Sequence, residues 1–127
     1  MSTKRLLIDF DRVIHQYTDG WSDGTIYDVP VHNAIDSIKK LQDEGWEIVI
    51  FTTRSKYGDE RNYRIQDWLE EIHGFETQCI GLIDNVNNIE LKKNQLLITN
   101  TKIPAMAIID DRAIRFTNWS DILRYFI

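Results

Sequence analysis

Three short apolar runs, each followed by polar residues, constrain the fold of this chain more than any other feature. The runs Arg5–Asp9, Glu47–Phe51 and Met106–Asp110 do not alternate apolar with polar residues, so each predicts a strand buried on both faces. Helical patterns separate them, and such alternation predicts a parallel sheet with right-handed crossovers and helices on both faces. We therefore expect an α/β protein with a three-layer α/β/α, Rossmann-like fold, a central parallel sheet and no large cap domain.

Periodicity and turn residues locate the remaining elements. The segment 13–28 combines glycines, acidic residues and aromatic side chains, which predicts a loop or small hairpin that would form a flap. The Asn-rich segment 84–94 fits a helix or a hairpin, and residues 79–94 are the candidate for a small insertion. A first helix is predicted to open at Pro30 and to stop at Gly45. A second is predicted over Asp59–His73, with a buried side formed by Tyr63, Ile65, Trp68, Leu69 and Ile72. Strands are predicted over Gln78–Ile83 and Gln95–Thr99, and a closing helix over Asn118–Phe126.

Length, charge and cysteine content bound the function classes. A chain of 127 residues is long enough for one domain with a real core, and we treat residues 1–127 as a single domain. The formal net charge of −5 argues against broad, nonspecific nucleic-acid binding, although it is compatible with a local basic site. Cys79 is the only cysteine, so no internal disulfide can form and a cytoplasmic location is expected. No apolar run is long enough to span a membrane, so no membrane partner is expected.

Two carboxylates spaced i, i+2 end the first apolar run. If the strand continues through Asp9, the side chains of Asp9 and Asp11 point to the same side of the chain. Two like charges that close resist joint ionisation unless a cation lies between them or one holds a proton. Such a pair suits oxygen-ligated Mg²⁺, or a nucleophile with a general acid. The alternative is a strand that leads into an ordinary acidic turn.

A second acidic pair and a set of hydroxyls favour the functional interpretation. Asp110 and Asp111 end the last apolar run, and Thr52, Thr53 and Arg54 follow the second. In open parallel α/β sheets, ligands bind at the carboxyl edge of the strands, where all these side chains would converge. The sequence therefore predicts a phosphate-plus-metal site at that edge.

The ordered set of motifs resembles the haloacid dehalogenase superfamily, and more narrowly its phosphatase branch. Its four signatures correspond to Asp9-Phe10-Asp11-Arg12-Val13, Thr52, Lys102 and the pair Asp110-Asp111. Together they span nearly the whole chain. The run 110–116 is similar to the acidic motif of small, capless bacterial and phage members. An Asp-Asp-Arg run also occurs in the phosphatase half of polynucleotide kinase-phosphatases.

The resemblance implies a mechanism for phosphate-ester hydrolysis. Asp9 would attack phosphorus and form an aspartyl-phosphate, while Asp11 would protonate the leaving oxygen and then deprotonate the hydrolytic water. A halide leaves without a proton, so the second acid indicates a phosphatase rather than a dehalogenase. Thr52 would hydrogen-bond a phosphoryl oxygen. Lys102 would pair with Asp9 and with the phosphate, and Lys92 or Lys93 are the alternatives for this role. Asp9, Asp110, Asp111 and the backbone carbonyl of Asp11 would bind Mg²⁺.

Several assignments concern the substrate. Thr53, Arg54 and Arg12 are candidate substrate-binding residues. For Arg54 and Arg112, the alternatives are substrate binding and simple pairing with nearby acids. Arg12 stands where close relatives often have glycine. The flap aromatics are expected to pack a small hairpin or to stack on a base: they are Tyr17, Trp21 and Tyr27.

The substrate class and the enzymatic function itself have open alternatives. The expected partner is a phosphorylated small molecule, such as a nucleotide or sugar phosphate, or a nucleic-acid end. The alternative function is a catalytically weak or inactive module of the same fold that binds a phosphorylated ligand or a protein partner. No role for His15, and no oligomeric state, follows from the sequence.

Overall fold

The computed structural model describes residues 4–54, 60–80 and 90–127, and the elements below lie within those ranges. Apolar runs form strands and amphipathic runs form helices, as expected from their periodicities. In chain order the elements are β1 (Arg5–Asp9), α1 (Ala34–Asp43), β2 (Glu47–Phe51), α2 (Glu60–Asp67) with a π-helical turn (Trp68–Ile72), β3 (Glu76–Ile80), β4 (Gln95–Thr99), β5 (Ala107–Ile109) and α3 (Trp119–Phe126).

The strands form one parallel sheet in the order β3-β4-β2-β1-β5. The steps from β1 to β2 and from β2 to β3 move toward one edge, and each contains a helix. The steps from β3 to β4 and from β4 to β5 move back toward the other edge. Right-handed crossovers therefore put α1 and α2 together on one face of the sheet. The predicted parallel α/β, Rossmann-like sheet is confirmed, and the residues that the structure describes form no cap domain.

Two hydrophobic clusters show how the sheet faces are covered. The larger cluster packs side chains of α1 and α2, including Ile38 and Ile65, against one face of the sheet. On the other face, Ile103 is buried against the central strands. Because successive strand residues point to opposite faces, β1, β2 and β4 contribute to both clusters, which explains their unbroken apolar runs. Full burial of one such aliphatic side chain contributes roughly 1.5–3 kcal/mol.

The predicted start of the first helix is wrong. Pro30 forms an antiparallel bridge with His15, and the backbone N–H of Val31 donates to the carbonyl of Ile14 at 2.7 Å. These residues thus close the base of the flap instead of opening a helix. The helix begins at Ala34, and Gly45 follows its end with φ of 92°, a conformation that favours glycine.

The second helix buries fewer residues than its periodicity predicts. Ile65, Trp68 and Leu69 are buried, but Tyr63 and Ile72 are 57% and 66% exposed. The helix ends in a π-helical turn, which adds a residue to the turn and rotates the following side chains off the α-helical face. Ile72 therefore leaves the buried stripe.

The remaining elements differ from the predictions at their ends. The third strand begins at Glu76 rather than at Gln78, because it pairs with β4 from Glu76 onward. Predictions for residues 81–89 lie outside the described residues. The last helix begins after Asn118, whose side chain accepts a hydrogen bond from the N–H of Asp121, and it has no buried residue. In the described part of the chain, no helix has the length and apolar character needed to cross a bilayer.

Candidate active site

The carboxyl ends of three adjacent strands carry the predicted site residues. Strand β1 lies between β2 and β5, so the polar residues that follow these strands meet at one edge of the sheet. A cavity of about 240 Å³ opens there. Its lining contains Asp9, Asp11, Arg12, Tyr17, Phe51, Thr52, Thr53, Asp110, Asp111 and Arg112.

Three carboxylates form an acidic trio in this cavity: Asp9, Asp110 and Asp111. Each offers an oxygen, and these oxygens all lie within 4.8 Å of one another. Burial and, after it, the charges of Asp110 and Asp111 together raise the pKa of Asp9 to about 7, against the opposing effect of the Phe10 N–H, which donates to Asp9 at 2.9 Å. The trio therefore favours either a proton or a cation, and its hard oxygen donors are of the type that divalent ions such as Mg²⁺ prefer.

The carboxylate of Asp11 is held apart from the trio by two basic side chains. Arg54 donates from Nε to Oδ2 and from Nη2 to Oδ1, each at 2.8 Å, and His15 Nδ1 lies 2.9 Å from Oδ1. Burial alone would raise the pKa of Asp11, but the hydrogen bonds from His15 and Arg54 outweigh it and hold that pKa below its ordinary range. Asp11 is thus a well-fixed acceptor at the wall of the cavity.

His15 is the site residue that the sequence did not reveal. The backbone N–H of Asp28 donates to its Nε2 at 3.0 Å, so the ring proton lies on Nδ1 and points to Asp11. His15 is fully buried and stacks on Phe10 at 5.4 Å between ring centroids. A tight turn brings it back to Asp11, since its N–H and that of Ile14 both donate to the Phe10 carbonyl. The only sequence signal was the i, i+4 spacing of Asp11 and His15, which has meaning only if that turn forms.

Arg54 joins the sheet edge to the flap. Its side chain is 3% exposed, and Nη1 donates to the carbonyl of Gly24 in the flap at 3.0 Å. The rings of Phe10, Tyr17 and Trp21 lie 5.3–5.7 Å from its guanidinium carbon. Of the two roles that the sequence left open for Arg54, substrate binding or pairing with an acid, the geometry gives the pairing.

The two threonines after β2 have different surroundings. Thr52 is buried, its N–H donates to the carbonyl of Thr99 at 2.9 Å, and its hydroxyl accepts the N–H of Arg54 at 3.2 Å. The hydroxyl therefore caps the turn and keeps its own proton to donate into the cavity. Thr53 is exposed and also lines the cavity.

Lys102, the predicted lysine, lies at the carboxyl edge of the sheet but is not among the described residues that line the cavity. Lys102 follows β4, at the same edge as Asp9, and is exposed. Lys92 and Lys93 precede β4 and so lie at the opposite edge, about 16 Å away for a five-residue strand. The alternatives are therefore in the wrong place, and the role of Lys102 stays a prediction.

The flap is anchored at its base and braced by internal hydrogen bonds. Its base is closed by the N–H of Gln16, which donates to the carbonyl of Val29 at 2.9 Å. Tyr27 donates its hydroxyl proton to the carbonyl of Gly20 at 2.9 Å. Tyr17, the flap aromatic that lines the cavity, is half-buried and within 6.2 Å of the Tyr27 ring. The aromatics thus pack the flap, and Tyr17 also borders the site.

No family model, curated protein or solved structure matches this chain.

Proposed function

We propose that this protein is a Mg²⁺-dependent phosphomonoester hydrolase of the haloacid dehalogenase type, and that it acts through an aspartyl-phosphate on Asp9. The observation that supports this most is the convergence of the acidic trio, Asp11 and Thr52 in one cavity at the carboxyl edge of the sheet. Along the chain, these residues follow the order of the signatures of the haloacid dehalogenase superfamily: Asp9 and Asp11 come first, then Thr52, then Asp110 and Asp111.

The acidic trio fits a hard divalent cation. Asp9, Asp110 and Asp111 would hold Mg²⁺, together with the backbone carbonyl of Asp11, and the ion would offset charge between the carboxylates and the substrate phosphate. Burial, and then repulsion from Asp110 and Asp111, raises the pKa of Asp9, and a bound cation would offset that repulsion. Because all of these donors are hard oxygens, Mg²⁺ is the ion that we propose.

Asp9 and Asp11 would share the chemistry. Asp11 first takes up a proton from solvent, against the hydrogen bonds that hold its pKa low. A carboxylate oxygen of Asp9 then attacks phosphorus, the bond from phosphorus to the leaving oxygen breaks, and Asp11 gives that oxygen its proton. Arg54 and His15 stabilise the Asp11 carboxylate that results. The same carboxylate then takes a proton from water, which attacks the aspartyl-phosphate and releases inorganic phosphate.

Thr52 and Lys102 would orient the phosphoryl group. The Thr52 hydroxyl accepts a backbone N–H and so can donate its proton to a phosphoryl oxygen. Lys102 would offset the charge of Asp9 and phosphate from the end of the neighbouring strand. The proposed setting is the cytoplasm, where the lone Cys79 would stay reduced.

One observation favours the alternative, a module of this fold that binds a phosphorylated ligand or protein partner without turnover. Asp11 already accepts three hydrogen bonds, and these bonds stabilise its ionised form, which makes protonation of the carboxylate less favourable. In the proposed enzyme the same contacts fix the geometry of the acid. Phosphate release distinguishes the two functions.

The test is phosphate release from a broad panel of phosphomonoesters, with Mg²⁺ and with EDTA. Asp9→Asn is the inactive variant, and Asp43→Asn, at the end of α1, is the matched control. Metal-dependent release that disappears only in Asp9→Asn is the expected result. Equal release by wild type and Asp9→Asn would overturn the covalent mechanism, and binding of Mg²⁺ without any release would favour the alternative.

A further inference from the structure

Two arginines from different parts of the chain line the cavity beside the acidic trio. Arg12 follows β1, and Arg112 follows β5. Within the described part of the chain, neither guanidinium forms an ion pair with a carboxylate. Arg54 differs, because its guanidinium is buried on Asp11. The cavity thus presents two solvent-facing cations next to three carboxylates that do not neutralise them.

Arg12 adopts a backbone conformation that is strained for a residue with a long side chain. Arg12 has φ of 72°, in the left-handed region where glycine is favoured and bulky residues are strained. Its N–H donates to the carbonyl of His15 at 2.7 Å, which ties this conformation to the turn that positions His15. The guanidinium carbon lies 5.5 Å from the centroid of Tyr17, so the side chain is directed along the flap wall of the cavity.

The size of the cavity limits how much of a substrate enters it. Its volume of about 240 Å³ is below the ~300–1,000 Å³ of pockets that enclose a drug-sized ligand. A phosphoryl group and the atoms nearest to it fit inside, while the rest of the substrate stays at the rim. A planar guanidinium at such a rim is suited to bidentate binding of a phosphate oxygen pair.

We infer that Arg12, assisted by Arg112, binds a second anionic group of the substrate, so that the preferred substrate is a phosphomonoester carrying another phosphate close to the reacting one. This inference rests on the proposed function for the identity of the reacting group. Nucleoside bisphosphates and phosphorylated nucleic-acid ends share this chemistry. A simple monoester has one phosphate, which the proposed reaction places at the acidic trio, so it would leave Arg12 and Arg112 without an anionic partner.

The experiment compares adenosine 5′-monophosphate, adenosine 3′,5′-bisphosphate and a 5′-phosphorylated adenosine dinucleotide as substrates. We expect wild type to favour the two substrates with a second phosphate by about 10-fold in kcat/KM, mainly through KM. Arg12→Gly and Arg112→Gln should each reduce that ratio. The bisphosphate and the dinucleotide distinguish a small-molecule substrate from a polynucleotide end.

Two control variants test whether any change comes from loss of the guanidinium in the cavity, from relief of backbone strain, or from loss of a positive charge elsewhere. Asn94→Gly relieves a similar positive φ of 66° at the residue before β4, and Arg115→Gln removes an exposed arginine that does not line the cavity. Neither should change the substrate ratio. A ratio that is near one in wild type, or that Arg12→Gly leaves unchanged, would overturn the inference while leaving phosphate release intact.

Binding in the Asp9→Asn background keeps the inference testable without turnover. Titration calorimetry with adenosine 3′,5′-bisphosphate and with the monophosphate should give the same preference, and adding Arg12→Gly should remove it. If no substrate releases phosphate but this binding preference persists, the result would contradict the proposed function and leave the inference standing. Equal binding of both compounds would overturn the inference.

Discussion

Arg54 and Asp11 form a bidentate ion pair in which both hydrogen bonds measure 2.8 Å and the arginine side chain is almost fully buried. The two residues follow neighbouring parallel strands, whose last paired residues are Asp9 and Phe51. The pair therefore fixes the chain after β1 relative to the chain after β2. It also fixes the carboxylate that the proposed mechanism uses for proton transfer.

Replacing Arg54 by lysine should impair catalysis more than binding. Lysine keeps the charge but cannot provide the two parallel N–H donors that hold Asp11. Displacement of a catalytic group by about 1 Å can reduce the rate ~10²-fold, so we expect a loss of that size in kcat with a smaller change in KM. Steady-state kinetics on the best substrate of the panel would measure both.

Arg64→Lys is the matched control for that experiment. Arg64 donates to the carbonyl of Asp23 at 3.1 Å on the exposed side of the flap and does not line the cavity. Its substitution should change kcat by less than about twofold, since surface contacts of this kind contribute little. Equal losses in the two variants would mean that Arg54 acts through general stability and not through Asp11.

Two isosteric substitutions separate the two hydrogen bonds of His15. In His15→Asn the side-chain amide can replace Nδ1 as donor to Asp11, whereas in His15→Gln the amide oxygen can replace Nε2 as acceptor for Asp28. We expect the Asn variant to keep kcat within about 10-fold and the Gln variant to lose about 10²-fold. The reverse order would show that the histidine serves the flap and not Asp11. Thermal unfolding of both proteins controls for stability.

The parts of the fold that were predictable are those fixed by local pattern. The predicted bounds of β1, β2 and β4 agree with the structure, because these strands are buried on both faces and lose their apolar character abruptly. The convergence of Asp9 with Asp110 also follows from topology alone, because parallel strands present their carboxyl ends at one edge.

The unpredicted parts depend on contacts between segments that are distant in sequence. Pro30 has the local signal of a helix start, but its pairing with His15 across the flap overrides that signal. The role of His15 requires both the turn after Phe10 and the backbone N–H of Asp28, and no spacing rule links those three positions. The sequence predicted α3 but not its surroundings: its apolar side is exposed, and an amphipathic pattern identifies a helix without identifying what packs on it.

Removing one carboxylate of the acidic trio should weaken binding of a divalent cation. Asp110→Asn and Asp111→Asn each replace a charged oxygen donor by a neutral amide, so we expect Mg²⁺ affinity to fall by at least about 10-fold. Calorimetric titration measures the affinity, and the rise of Tm with Mg²⁺ concentration gives a second readout. Asp43→Asn is again the control. Unchanged titrations in both trio variants would exclude them from the metal site.

The pKa of Asp9 gives a sign for the pH dependence of stability. Its ordinary value is 3.8, and burial and the neighbouring carboxylates raise it to about 7 in the folded protein. Below pH ~4 both folded and unfolded states carry this proton, so Asp9 makes no difference. Between about 4 and 7 the folded state keeps a proton that the unfolded state has lost, so the free energy of unfolding decreases as pH rises, and above about 7 the penalty is complete.

Asp9→Asn should therefore remove a pH-dependent penalty from the metal-free protein. The amide cannot ionise, so in EDTA we expect the variant to gain stability over wild type as the pH is raised from 5 to 8. Mg²⁺ should shrink the gain, because a bound cation offsets the repulsion among Asp9, Asp110 and Asp111 in wild type. Urea unfolding at several pH values, with and without Mg²⁺, measures both effects. A stability difference that is constant across this range would mean that Asp9 ionises at its ordinary pKa, and the electrostatic coupling within the trio would then be absent.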